Sequence, residues 1–282
     1  MSNGGDMFSV KLTEKEFDYL SSFVYNELGI KMPPEKKIML ESRLLKRLRE
    51  LKLPTFKEYI GFLNSEQGKN NEIVHMFDVV TTNKTDFFRE PQHFEYLTKL
   101  ALPEIKENGT VRQIKIWSSA SSSGEEPYTI AMVMADWCAK NPGFDYSILG
   151  TDISTKVLTM AVNGTYKIDR VAPVSLEFKK KYLLRHKDAS QSLVKIVPEL
   201  RSRCKFERLN LMDPYYEVDG MFDILFCRNV LIYFDRPTQE KVINKLCAKL
   251  KKGGYFFLGH SESILQMDVP LRQIKPTIFV RV

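Results

Sequence analysis

Through the first third of the chain, apolar residues recur at helical spacing. Phe17, Leu20, Phe23, Val24 and Leu28 share one helix face, behind Thr13-Glu14-Lys15-Glu16. A Thr hydroxyl and a Glu carboxylate three residues apart can satisfy the free N–H groups of a helix start, so this tetrapeptide reads as a capping box. The pattern predicts a first helix ending near Gly29. Pro33-Pro34 opens a second helix to about Leu51, because proline's fixed φ suits a first helical turn. Thr55-Phe56-Lys57-Glu58 repeats the capping pattern before a third. Residues 10–80 therefore read as an all-helical unit.

From Pro103 the texture changes. Short apolar runs at Val111–Trp117, Tyr146–Leu149, Phe222–Cys227 and Tyr255–Leu258 alternate with helical stretches at Glu125–Ala139, Thr155–Val162 and Pro237–Leu250. Such alternation predicts an α/β unit over 103–282, built on a mostly parallel, doubly wound sheet. Residues 164–203 interrupt it with a short helix (Ser175–Tyr182) and two strands (Leu183–Arg185, Leu193–Val197), the pattern of an inserted small antiparallel β-subdomain. Leu271–Lys275 and Ile278–Val282 read as a closing hairpin, where Pro276 favours an edge position. Residues 81–102 link the two units, and no internal repeat is present.

Bulk properties narrow the class. A length of 282 residues suits two units. With 43% hydrophobic and 27% charged residues, and no apolar run near the ~18 residues of a membrane span, a soluble chain is expected. Met1-Ser2-Asn3-Gly4-Gly5-Asp6 has neither the basic flank nor the apolar stretch of an export signal, so a cytoplasmic location is expected. Cys138, Cys204, Cys227 and Cys247 form no C-x-x-C pair, and His75, His93, His186 and His260 show no metal-ligand spacing with them. Neither disulfides nor a metal are expected. A net charge of +7 suits an anionic partner without choosing one.

Candidate chemistry begins where the run ending at Trp117 meets Ser118-Ser119-Ala120-Ser121-Ser122-Ser123-Gly124 and a helix opening Glu125-Glu126-Pro127-Tyr128. Small residues let a ligand approach the backbone, and doubly wound sheets bind ligands beyond the carboxyl ends of their strands. A pyrophosphate site would show G-x-G-x-x-G. This turn is serine-rich with two adjacent carboxylates, which disfavours a pyrophosphate and admits a cationic ligand. The Ser123 to Glu126 spacing equally fits another capping box, and spacing alone leaves both open. Asp152, in Gly150-Thr151-Asp152-Ile153, stands where this fold grips ribose hydroxyls, although helix capping would also use an Asp there. Leu209-Asn210-Leu211 and the segment Phe226 to Phe234 place polar groups after two later strands, as a pocket rim would.

Three strings now carry a resemblance. Thr81-Thr82-Asn83-Lys84-Thr85-Asp86-Phe87-Phe88-Arg89-Glu90, Ser123-Gly124-Glu125-Glu126-Pro127-Tyr128 and Cys227-Arg228-Asn229-Val230-Leu231-Ile232-Tyr233-Phe234, in that order, resemble the chemotaxis receptor glutamate methyltransferase family (CheR). The likeness runs from the N-terminal helices to Gly259-His260-Ser261-Glu262. It implies a Rossmann-like class I methyltransferase sheet and S-adenosyl-L-methionine as cofactor, leaving S-adenosyl-L-homocysteine as product. By motif, Asn83, Thr85, Arg89, Glu126, Asp152, Asn210, Leu211, Arg228 and Asn229 become its expected contacts. Arg89 would pair with the methionyl carboxylate, Glu126 with the amino group and Asp152 with the ribose. Arg89 and Tyr233 are the expected catalytic residues, Arg89 orienting the incoming carboxylate and Tyr233 lining the methyl channel. The implied reaction is methyl esterification of glutamate on the cytoplasmic helical region of methyl-accepting chemotaxis receptors, by a monomer that needs no nucleic acid and no membrane insertion.

Residues 31–57 carry nine basic side chains against three acidic ones. At about 100° per residue, Lys36, Arg43, Lys46 and Arg47 share one face, opposite Ile38, Leu44, Leu45, Leu48 and Leu51. An outward basic stripe is expected, and the resemblance makes it a docking face for an acidic helical receptor. Some family members also grip a receptor's terminal peptide through a glycine-bearing loop of the inserted subdomain. Arg185-His186-Lys187-Asp188-Ala189-Ser190-Gln191-Ser192-Leu193 lacks those glycines, so that tether is not expected here. Two rivals remain at this level: an RNA methyltransferase using the same fold and a basic surface, disfavoured by the lack of an aromatic stacking platform beside the stripe, and a catalytically silent sensory scaffold.

Overall fold

A computed structural model describes residues 10–109 and 112–282; Met1 to Asp6 and Val111, on which two expectations rested, lie outside them. The chain divides into two compact units, one ending at Thr82 and joined by Tyr233–Asp235, the other comprising Asn83–Ile232 and Arg236–Val282.

The first unit is helical, with α-helices at Glu14–Leu28, Lys37–Leu51, Phe56–Asn64 and Ile73–Val80. Thr13 accepts the Glu16 N–H while Glu16 reaches back to the Thr13 N–H, so the capping box forms, and Gly29 ends the helix in the left-handed conformation its missing side chain permits. The core gathers Leu20, Val24, Leu40, Leu44, Tyr59 and Met76, all essentially solvent-free.

One expectation about this unit is overturned. Arg47 is buried, its guanidinium gripping both oxygens of Glu72 at 2.8 and 2.6 Å, while Tyr59 donates to the same carboxylate at 3.0 Å. Arg47 lies three residues from Leu44 and seven from Leu40, hence on the buried face. Ile38, assigned to the packed side, is 79% exposed. Arg43 is also inward, donating to Val80 O, to Thr81 O at 3.3 Å and to Thr82 Oγ1 at 3.0 Å, and so completing the carbonyl end of the Ile73–Val80 helix. Lys46 faces solvent and Lys36 is half-buried, its ammonium 3.3 Å from Lys31 O. The outward stripe thus shrinks to Lys46 with its neighbours Arg49 and Lys52.

Among the described residues the second unit holds ten strands: β1 Gln113–Ser118, β2 Asp145–Asp152, β3 Thr165–Lys167, β4 Leu183–Arg185, β5 Leu193–Ile196, β6 Cys204–Arg208, β7 Phe222–Cys227, β8 Leu250–Leu258, β9 Leu271–Lys275 and β10 Ile278–Arg281. Seven form one sheet in the order β6-β2-β1-β7-β8-β10-β9, parallel through β8 and antiparallel at the closing hairpin. The doubly wound expectation agrees with this. β3, β5 and β4 make the separate antiparallel sheet of the insertion. Strands β3 and β6 escaped sequence reading, β6 because it is an edge strand of mostly half-exposed side chains. Strand order reverses between β1 and β7, which opens a crevice beyond their carboxyl ends. Among the described residues no helix is long and apolar enough to cross a membrane.

Candidate functional site

The serine-rich turn is fastened to both neighbours of β1. Ser119 N donates to Phe226 O of β7 at 2.9 Å, and Ser121 N to Thr151 O of β2 at 2.8 Å. Helix Glu125–Lys140 then starts at Gly124, whose φ of 95° is open to glycine; a Cβ there would lie 2.9 Å from both Ala161 Cβ and the Tyr166 hydroxyl.

No capping box forms at Ser123 and Glu126. The helix has no side-chain cap. Ser123 Oγ donates to Glu125 Oε2 at 2.7 Å, and Glu126 turns back to accept from Ser118 Oγ at 2.7 Å. Glu126 also accepts from Arg228 Nη1 at 3.0 Å, so the first residue after β7 meets the first turn after β1 across the switch point. Burial raises the Glu126 pKa and outweighs the opposing effects of Arg228 and Ser118.

Arg228, 6% exposed, is shared with Glu90. Its Nη2 and Nε lie 3.0 and 3.3 Å from Glu90 Oε2, and Nη2 also donates to Arg89 O. Burial alone would raise the Glu90 pKa, but Arg228, the His260 N–H and Asn229 together hold it below its ordinary value. Asn229, at φ 59°, donates from Nδ2 to Glu90 Oε1 at 3.3 Å. Glu262 holds this turn through four backbone N–H groups, those of Asn229, Val230, Leu231 and Gly259, at 2.7–2.9 Å. A Cβ on Gly259 would sit 2.5 Å from Asn229 Nδ2, so glycine is required for this approach.

A second cluster surrounds Asp152, 8% exposed at the end of β2. Its carboxylate accepts the N–H groups of Ser122 at 2.9 Å and Ser154 at 3.0 Å, while Ser154, not Asp152, caps the following helix. Ser122 Oγ donates to Asn83 O at 3.0 Å, bringing the Asn83 segment to the turn. Leu209 N donates to Asp152 O at 3.0 Å, which sets the Leu209-Asn210-Leu211 loop beside it. There Asn210 Oδ1 accepts from Met212 N at 3.0 Å, and the buried Leu211 accepts from Tyr216 Oη at 2.9 Å. Thr85 is anchored from the insertion: Arg170 Nη2 donates to Thr85 O at 2.7 Å and to Glu125 Oε1 at 2.5 Å.

The structure therefore gathers Arg89, Glu126, Arg228 and Asn229 into one bonded group, and Asn83, Asp152 and the Asn210 loop into another. The Arg89 guanidinium is half-buried and donates to Lys84 O at 3.3 Å. Tyr233 closes the 3-10 turn Leu231–Tyr233 and groups with the helical unit, where its carbonyl accepts Lys31 N–H at 3.1 Å. Glu90 and Glu262 carry no role legible in the sequence, since nothing local shows that they fasten distant segments.

The donor set fits a cationic methyl donor. Glu126 and Asp152 offer carboxylate oxygens beside the turn to a ligand that carries a sulfonium, an ammonium and one carboxylate. Ser121 Oγ, fully buried in the turn, has no hydrogen-bond partner among the described residues.

Comparison with known proteins agrees. The CheR methyltransferase SAM binding domain matches residues 83–280, and the CheR methyltransferase all-alpha domain matches residues 15–81. The chain is 40% identical over 260 residues to the chemotaxis protein methyltransferase of Borreliella burgdorferi, covering 91% of this chain and 90% of the relative. It is 35% identical to chemotaxis protein methyltransferase 2 of Pseudomonas aeruginosa, with 95% and 93% covered. Against the chemotaxis protein methyltransferase of Escherichia coli the identity is 36%, with 91% and 87% covered.

Proposed function

The chain belongs to the CheR methyltransferase family, an S-adenosylmethionine-dependent enzyme family of chemotaxis, and we propose that it esterifies glutamate side chains on the cytoplasmic helices of chemotaxis receptors. The observation that carries this is the crevice at the β1/β7 switch point, where Arg228 ties Glu126 to Glu90 beside the Asp152 cluster.

When bound, S-adenosylmethionine supplies an electrophilic methyl group on a sulfonium. Glu126 would hold the donor's amino group, Asp152 its ribose, and Asn83, Thr85, Asn210, Leu211, Arg228 and Asn229 the remaining surface. The nucleophile is a receptor carboxylate, already ionised near neutral pH given a reference pKa of about 4.3, so no strong base is needed. Alignment does the work; orientation alone can supply roughly 7–11 kcal/mol. Arg89, with a planar fork suited to carboxylates, orients the methionyl or the incoming carboxylate. Tyr233 is assigned to line the methyl channel. Exposed Lys46, Arg49 and Lys52 present positive charge to an acidic helical partner, and the enzyme acts in the cytoplasm as a monomer.

Labelled S-adenosylmethionine, offered in parallel to receptor-bearing membranes and to total tRNA, tests the reading. Label on receptor protein is expected. Label on RNA alone would make the chain an RNA methyltransferase, and donor binding with no transfer to either would make it a scaffold.

A further inference from the structure

His93 and His260 have no part in the reaction proposed above, yet the fold brings both to Glu90. His93 is 1% exposed, and its Nε2 lies 2.8 Å from Thr277 Oγ1. That hydroxyl gives its own hydrogen to Pro276 O at 2.7 Å, so it accepts from His93, and Nε2 carries the ring proton. Nδ1 is left as a bare lone pair. It is buried, makes no hydrogen bond among the described residues and faces Glu90 Oε2 at 3.6 Å.

Two buried acceptors facing each other repel unless a cation lies between them. His260 Nε2 stands 4.0 Å from Glu90 Oε2, and all three donor atoms lie within 4.8 Å of one another. Ligands about 2.0–2.2 Å from a tetrahedral zinc ion are separated by roughly 3.3–3.6 Å. A small rotation of the His260 side chain, 49% exposed, closes the set. Metal-binding histidines commonly donate their second N–H to a fixed acceptor, and Thr277 already fills that place. A cavity of about 570 Å³, lined by His93, His260, Tyr96, Lys275 and Thr277, gives an entry path and room for water.

We propose that Glu90, His93 and His260 form a binding site for a divalent transition cation of zinc's class, with Glu90 Oε2, His93 Nδ1 and His260 Nε2 as ligands and water as the fourth. Imidazole and carboxylate donors without thiolate suit such an ion. The cation competes with Arg228 for Glu90 Oε2, so occupancy loosens the pairing that leads to Glu126. Only this consequence rests on the function proposed above.

Cobalt(II) titration of the chelator-treated full chain, followed by visible absorption and zinc(II) displacement, tests the site whether or not methyl transfer is observed. One equivalent is expected to bind with a nitrogen and oxygen spectrum. Affinity should fall at least tenfold in His260→Ala and by about 10–100-fold in Thr277→Ala, which removes only the group orienting His93. Saturating zinc should also weaken S-adenosylmethionine binding in the unmodified chain and not in His260→Ala. Absence of binding, thiolate charge-transfer bands, or affinity unchanged in both variants would overturn the site. Unaltered donor binding under zinc would overturn the competition with Arg228.

Discussion

Arg228 Nη1 lies 3.0 Å from Glu126 Oε2, joining the residue that follows β7 to the first helical turn after β1. The same guanidinium reaches Glu90 at 3.0 Å, so one cation is the common partner of two largely buried carboxylates. Removing it leaves both unpaired.

Arg228→Ala should therefore destabilise the protein by about 3–5 kcal/mol, the usual result of breaking a buried ion pair from one side. Arg228→Lys should recover only part of this, because an ammonium cannot present a planar fork to both carboxylates. Urea denaturation of the three proteins checks the order; equal stability of the Lys and Arg forms would deny the fork its role.

Glu126→Gln separates stability from function. Burial raises the Glu126 pKa, so the folded chain holds this proton more tightly than the unfolded chain does. Its contribution to stability is full at pH below the ordinary carboxylate value and falls as pH rises through the folded pKa. The neutral amide should therefore raise Tm at pH 8 by a few degrees, about 2–4 °C per kcal/mol gained, and the gain should fade toward acid pH. Donor affinity should drop at least tenfold in the same variant. Melting curves against pH check the sign, and a Tm loss at pH 8 would contradict it.

Arg47→Ala and Lys46→Ala should behave oppositely. Arg47 neutralises Glu72 inside the helical unit, and its loss should cost about 3 kcal/mol or more. Lys46 is exposed, so its loss should change stability by less than about 0.5 kcal/mol while lowering receptor methylation. Thermal melts paired with methylation assays separate the two. A receptor-docking role for Arg47 itself would instead appear as normal stability with poor methylation.

Arg170 ties the inserted subdomain to Thr85 and Glu125 at 2.7 and 2.5 Å. Arg170→Ala should reduce kcat/KM for the methyl donor about tenfold, a loss near 1.4 kcal/mol, while far-UV circular dichroism stays unchanged. A receptor truncated at its terminal peptide should be methylated at an undiminished rate by the unaltered enzyme, since the Arg185–Leu193 segment lacks the glycines of peptide-gripping loops.

Legibility in the sequence followed the range of the interaction. Thr13 and Glu16, three residues apart, announced a capping box that the structure contains, and Phe222–Cys227, apolar but for Asp223, announced the central strand β7 without error in its bounds. Both signals are local. At Ser123 and Glu126 the same local rule left the outcome open, and the structure decided it through Ser118 and Arg228, the latter 102 positions away. Arg47 misled because helical periodicity grouped it with Lys36, Arg43 and Lys46 on an outer face, whereas Glu72, 25 positions on, made burial tolerable. The meeting of Glu90, His93 and His260 rests on a contact across 170 residues, which spacing between histidines and cysteines does not register.

Whether this crevice directs methyl transfer to receptor glutamates is decided by peptide mapping of receptor-bearing membranes after reaction with labelled S-adenosylmethionine. Label is expected on glutamate residues of the receptor's cytoplasmic helices, released by mild alkali and lost with Arg89→Ala. Alkali-stable label on another side chain, or glutamate label that persists in Arg89→Ala, would contradict it.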